Sequence, residues 1–212
     1  MFFDGSDVGV TKNVSAFAIL PNGDILLAFG ANQTLAGLGI FTAFDVARFH
    51  PTSTGAVTAG TSAWYIDGSD IGLTTAGEKI DALDVLGDGR VLISTAGVVT
   101  VPGLANAQDE DVLVFSPTAT GASTAGSWMP PLYLDGSTVA GLGVEDVNGF
   151  WADEVTGARY VTILGGFTLG GVTGADKSIV KLMPTGGSPP YTPSLVEWAV
   201  PPFNVDGLEM TR

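Results

Sequence analysis

The chain has 212 residues, 45% of them hydrophobic and 14% charged, with 30 glycines and no cysteine. Its 22 acidic and 8 basic residues give a formal charge of −14, which leaves no basic footprint for nucleic acid and disfavours anionic membrane surfaces. The missing thiols exclude disulfides, thiolate metal sites and a cysteine nucleophile, and no apolar run approaches the roughly 18 residues of a membrane span.

The apolar content argues against disorder. In chain order, FFDGSDVGV from Phe2 carries an Asp-Gly-Ser turn, with no basic region or long apolar stretch like that of a signal peptide. The chain is therefore expected to be a mature or excised fragment. VSAFAILPNGDILLAFG from Val14 then gives an alternating strand, an Asn22-Gly23 turn and a second strand. ARFHPTSTG closes the unit with an apolar strand ending at Pro51. The same three landmarks recur from Trp64 (WYIDGSDIGL), Ile80 (IDALDVLGDGRVLISTAG) and LVFSPTATG around Pro117. They recur again from Leu132 (LYLDGSTVAGL), Val147 (VNGFWADEVTGARYVTILGG) and KLMPTGG around Pro184. Val14, Ile80 and Val147 are spaced by 66 and 67 residues, as are Pro51, Pro117 and Pro184. Two independent landmarks keeping one period establish a tandem repeat.

In the middle copy the strands are predicted at Trp64–Asp67, Ile80–Leu86, Arg90–Val99 and Asp111–Ser116. Ile80, Ala82, Asp84 and Leu86 fall on one face by strict alternation, and RVLISTAGVV is apolar on both, as in a strand sandwiched between neighbouring sheets. Gly87-Asp88-Gly89 tolerates positive φ and predicts a hairpin. Helix is nearly absent. The fold class is all-β: three four-stranded β-propeller blades of about 66 residues. A β-solenoid has shorter rungs, and three small sandwiches would each need a core of their own. The chain is one repeat domain, 1–212, with repeats at approximately 1–63, 64–131 and 132–197 and a partial one at 198–212. There Val205-Asp206-Gly207-Leu208 matches Ile80-Asp81-Ala82-Leu83. A ring of three and a fraction blades is expected to be completed by missing blades or by another chain, so a homo-oligomer is expected.

Tyr-hydrophobic-Asp-Gly-Ser-Asp, followed by Asp-Ala-Leu, Asp-Gly-Arg, Asp-Glu-Asp and Gly-Ser-Trp, resembles repeats of exported bacterial proteins of unassigned function. More distantly, IDALDVLGDGRVLIST resembles blades of calcium-dependent phytase-like and lactonase-like propellers. That likeness implies strand starts that aim acidic groups at a central channel. The catalytic side chains of those enzymes have no counterpart here.

Ser15, Asp81, Asn148 and the partial repeat's Asp206 occupy equivalent inner-strand positions, and all are oxygen donors. Converging on an axis, they would suit Ca²⁺, which takes six to eight oxygens; alternatively they bond local turns. Asp4 and Asp7, Asp67 and Asp70, and Asp135 belong to the repeated turn, which lacks the EF-hand spacing and reads as structural. Asp109-Glu110-Asp111 reads as a solvated acidic loop. His50, the single histidine, is replaced by Ser116 and Met183 in the other copies, and no Gly-x-Ser-x-Gly elbow accompanies it. Trp64, Trp128 and Trp198 recur near the last strand of each unit and Trp151 lies on an inner strand; they serve blade packing or sugar stacking. A non-enzymatic extracellular or cell-surface propeller, acting by self-assembly or ligand binding, is expected. The alternatives are a calcium-dependent ester or phosphoester hydrolase and a carbohydrate-binding propeller.

Overall fold

A computed structural model describes residues 2–176, 178–188 and 190–196. Asp206, Trp198 and the partial fourth repeat lie outside the described residues. The chain runs through β1 (Val14–Ile19), β2 (Ile25–Phe29), β3 (Gln33–Leu35), β4 (Gly39–Phe41), β5 (Val46–Ser53) and β6 (Ala59–Ile66). The same six-strand unit returns as β7 (Ile80–Val85), β8 (Val91–Thr95), β9 (Val99–Val101), β10 (Leu104–Ala107), β11 (Leu113–Ala119) and β12 (Ala125–Trp128). It returns once more as β13 (Val147–Ala152), β14 (Arg159–Ile163), β15 (Phe167–Leu169), β16 (Val172–Gly174), β17 (Val180–Pro184) and β18 (Tyr191–Leu195).

Each unit is a four-stranded antiparallel meander: β1-β2-β5-β6, β7-β8-β11-β12 and β13-β14-β17-β18. Between its second and third strands each carries a two-stranded hairpin: β3–β4, β9–β10 or β15–β16. The first hairpin of each sheet turns at Gly23 (φ 87°), Gly89 (φ 88°) or Gly157 (φ 74°), where a side chain would be strained. Among the described residues there is no α-helix, and the sheets do not close into a ring.

Alternation makes the sheets stack. Val91, Ile93, Leu113 and Phe115 of the second sheet pack with Ala16, Ala18, Leu26 and Ala28 of the first. The intervening Leu92, Val112 and Val114 pack instead with Phe150, Val161 and Ile163 of the third. Every residue of β8 is buried, as its two-faced apolar sequence predicts. Full burial of one such Leu, Ile or Phe contributes about 1.5–3 kcal/mol. β7 lies between β1 and β13, and Cα atoms of those two approach within 8 Å. The three inner strands therefore gather around one line.

The strand assignments shift in three places. Trp64–Ile66 does not open the middle sheet; it ends β6, the last strand of the first, paired with β5. Arg90–Val99 breaks after Thr95, because Val99 starts the inserted hairpin. The third strand begins at Leu113 rather than Asp111, and Ala125–Trp128 supplies the fourth.

Candidate functional site

The Asp-Gly-Ser-Asp turns come first, since they place what surrounds them. Gly5–Val8 and Gly68–Ile71 are 3₁₀ turns capped by Asp4 and Asp67, whose carboxylates accept from the backbone N–H of Ser6 and Ser69, both at 3.1 Å. Asp7 and Asp70 accept the N–H of Thr58 and Thr124, both at 2.8 Å. Those threonine hydroxyls accept in turn from Asp4 N (2.9 Å) and Asp67 N (2.8 Å). The turns latch strand ends. In the third copy Thr138 stands where Asp7 and Asp70 do.

Asp45 and Asp111 join one sheet to the next. Asp45 Oδ2 accepts from Thr42 N (2.6 Å) and Thr42 Oγ1 (2.8 Å), while its Oδ1 accepts from Gly68 N at 2.9 Å. Asp111 accepts from Gln108 N (2.8 Å) and Gly136 N (2.9 Å) in the same way. Gly68 and Gly136 allow this approach: a Cβ there would collide with the Phe44 carbonyl oxygen or with Glu110. Ile80 N bonding to Ala43 O and Val147 N to Asp109 O, both at 3.0 Å, complete the junctions. Asp109-Glu110-Asp111 is thus no solvated loop. Glu110 and Asp111 are each 5% exposed, and Asp111 repeats Asp45 at the period of the chain, a signal the sequence carried.

Ser15, Asp81 and Asn148 fall where each inner strand slips register against its neighbour, between Val14 and Ala16, Ile80 and Ala82, and Val147 and Gly149. A bulge re-aims its side chain. Two of the three are engaged internally: Ser15 donates to Ile80 O at 2.8 Å, and Thr162 Oγ1 donates to Asn148 Oδ1 at 3.0 Å. Asp81 instead faces Asp146 and Asp109. Burial, then the Asp146 and Asp109 charges, push the Asp81 carboxyl well above the ordinary range. Burial and Asp109 push Asp146 up to about 6. One buried oxygen of Asp81 and one of Asp146 have no hydrogen-bond partner. Glu110 follows: burial, then Asp111 and Asp109, push it up to about 7. Sequence reasoning found Asp81 but missed Asp109 and Asp146. In the first repeat their copies are Ala43 and Asn13; Asp109 recurs as Asp176 in the third, whereas Asp146 has no acidic copy. Among the described residues no three His, Cys, Asp or Glu side chains are arranged to hold a metal ion.

Glu110 also lines a cleft of about 500 Å³ at the junction of the second and third sheets. Asn106, Gln108, Pro131, Asp135 and Ser137 line it with Glu110. Its walls thus offer amides, carboxyls and a hydroxyl beside the apolar Leu104, Pro130 and Leu132; no cation lines it, and the hydroxyl, on Ser137, donates to Asp135 Oδ1 at 2.5 Å. Asn106 holds a left-handed backbone (φ 56°) there, and Gln108 Nε2 donates to its carbonyl at 2.8 Å.

His50 has a partner that the sequence did not disclose. Its Nδ1 lies 2.5 Å from Asp24 Oδ1, and Arg48 and Asn22 donate to Asp24 Oδ2. Burial opposes the Asp24 charge, but the bonds from His50, Asn22 and Arg48 hold its carboxyl below the ordinary range. An ionised Asp24 only accepts, so Nδ1 carries the proton. The tryptophans point inward: Trp64 stacks on Phe41 at 3.9 Å between ring centres, and its Nε1 donates to Leu38 O at 3.3 Å. Trp128 Nε1 donates to Ile71 O at 2.8 Å, and Trp151 packs on Tyr160.

Set beside known proteins, the chain matches no protein-family model, no curated protein and no solved structure.

Proposed function

We propose that this chain is a non-enzymatic propeller-type module that acts outside the cell or at its surface by binding a ligand or assembling with other copies. The observation that carries this is the cleft at the second junction. It is large enough for a small polar molecule and offers it donors and acceptors, and its one hydroxyl, on Ser137, is bound to the Asp135 carboxylate with no histidine in the lining to orient it. Of the acidic residues around it, Asp111 is engaged by Gly136 N in joining the sheets. The lack of a cation in the lining favours a neutral or cationic ligand over an anion. A carbohydrate fits the amides and hydroxyl of the cleft better than it fits Trp64 and Trp128, whose indoles have internal partners. Glycan and small-molecule arrays, probed with the intact chain and with Gln108→Ala, test this. Retention that Gln108→Ala weakens at least tenfold supports the reading, and retention indifferent to that change refutes the cleft as the seat.

A calcium-dependent ester or phosphoester hydrolase is the second reading. The crowding of Asp81, Asp109 and Asp146 favours it, since a hard cation would relieve repulsion that otherwise falls to protons. Ser15 and Asn148 are engaged elsewhere, and Asp81, Asp109 and Asp146 are not arranged around one metal position, so Ca²⁺ would have to draw these carboxyls together. Hydrolysis abolished by chelator and by Asp81→Asn would favour this reading.

A further inference from the structure

The third sheet departs from the repeat at three positions that meet in space. At one register position the second strand carries Ile25, Val91 or Arg159, paired with Phe49, Phe115 or Leu182 of the third strand. Opposite the repeat's proline, the fourth strand carries Gly60, Gly126 or Tyr191. In the first two sheets the phenylalanine ring lies across the glycine: a Cβ on Gly60 or Gly126 would stand 2.6 Å from Phe49 or Phe115 Cζ. In the third, leucine withdraws that ring and tyrosine replaces the glycine. A cation then stands where the other sheets bury Ile25 and Val91.

Arg159 Cζ lies 4.6 Å from the centre of the Tyr133 ring and 4.7 Å from that of Tyr191. Tyr133 packs in turn nearly perpendicular to Phe150, with 5.8 Å between ring centres. Arg159 and both tyrosines are half-buried, and burial pushes the Arg159 pKa down. Arg48 and Arg90 pair with Asp24 and Asp88, but among the described residues no carboxylate pairs with Arg159. Asp84 and Glu154 act on Tyr133, yet their oxygens accept from backbone: Glu154 from Gly87 N at 2.7 Å, Asp84 from Val85 N at 2.7 Å and Ala152 N at 2.9 Å. Two rings on one guanidinium take its faces and leave its N–H edge, the fork that matches two oxygens of one acid group. We propose that Arg159, held between Tyr133 and Tyr191, binds a single carboxylate group of a small ligand at that edge. The neighbouring Asp84 and Glu154 and a formal net charge of −14 set the site against phosphate, whose second charge they repel. None of the three stacked residues lines the Glu110 cleft, so this site is separate from the one proposed above.

In the intact ¹⁵N-labelled chain the Arg159 Nε–Hε resonance, identified by its loss in Arg159→Lys, reads that edge directly. Acetate and phosphate are titrated separately at pH 7, against chloride at equal ionic strength. Acetate is expected to shift the resonance saturably, half-complete at a lower concentration than with phosphate, and chloride to give no saturation. Saturation by phosphate at an equal or lower concentration overturns the carboxylate assignment, and no saturation by any of the three overturns the site. At ten times its half-saturating concentration, acetate should also raise the melting temperature of the intact chain by about 4 °C. In Arg159→Lys, which keeps the charge without the fork, the rise should be less than half as large. An equal rise in the variant would place the acetate elsewhere and overturn the proposal; if the variant does not fold, the titration of the intact chain decides alone.

Discussion

Replacing Asp45 by alanine removes the most heavily used carboxylate of the first junction. The side chain is 4% exposed and accepts three hydrogen bonds, two from Thr42 and one from Gly68 across the junction. Hydrogen bonds to a charged group contribute about 1.5–3 kcal/mol each, and orphaned buried donors cost about 1–3 kcal/mol. The three bonds share one acceptor and water can enter part of the space, so the expected loss is about 3–5 kcal/mol. For a chain of this length that lowers the melting temperature by roughly 10 °C. Asp45→Asn should fall between, because its amide must present N–H to one of the two donor sites. Asp4→Ala is the control: it removes a partly exposed cap and should cost about 1 kcal/mol. Calorimetry or thermal circular dichroism reads all three. A fall of less than about 2 °C for Asp45→Ala would refute the claim that this carboxylate fastens sheet to sheet.

Glu110, Asp146 and Asp81 are expected to make the protein less stable as pH rises. Their folded pKa values lie above the ordinary carboxyl range, so the folded state holds more protons and stability falls from about pH 4.5 to about pH 7. Glu110→Gln should recover up to about 3 kcal/mol of this at pH 8 and little at pH 4.5, as urea melts at the two values would show. Trp128→Phe leaves Ile71 O without its buried donor and should cost about 1–3 kcal/mol, against less for Trp64→Phe with its longer bond. His50→Ala should leave ligand binding intact and change stability by about 1 kcal/mol or less. Asp24 keeps Arg48 and Asn22, so a large loss of binding with an unchanged melt would engage the histidine in function.

The repeat, the strands and the hairpin turns were legible because alternation and glycine placement are local, and a 66-residue period triples each signal. The order of strands within a sheet was less so. Trp64–Ile66 sits near a repeat boundary, and hydrophobic pattern alone does not tell the last strand of one sheet from the first of the next. The inserted hairpins hid inside longer apolar runs such as Arg90–Val99. At the site, Asp81 was visible as a repeated inner-strand position, whereas Asp109, Asp146 and Glu110 join it only through the packing of the second sheet on the third. Asp24 and His50, 26 residues apart, meet only because β2 pairs with β5. Asp45 and Asp111 could have been found, since they recur at the period, but an Asp beside an acidic run reads as solvated until its burial is known.

The central claim is that these carboxyls hold sheets together and that the protein binds rather than cleaves. Its most direct test is turnover of a broad panel of esters and phosphoesters by the intact chain at pH 7, with added Ca²⁺ and with chelator. The account expects no turnover above the protein-free rate in either condition. Calcium-dependent turnover that Asp81→Asn abolishes, with the melt unchanged, would contradict it.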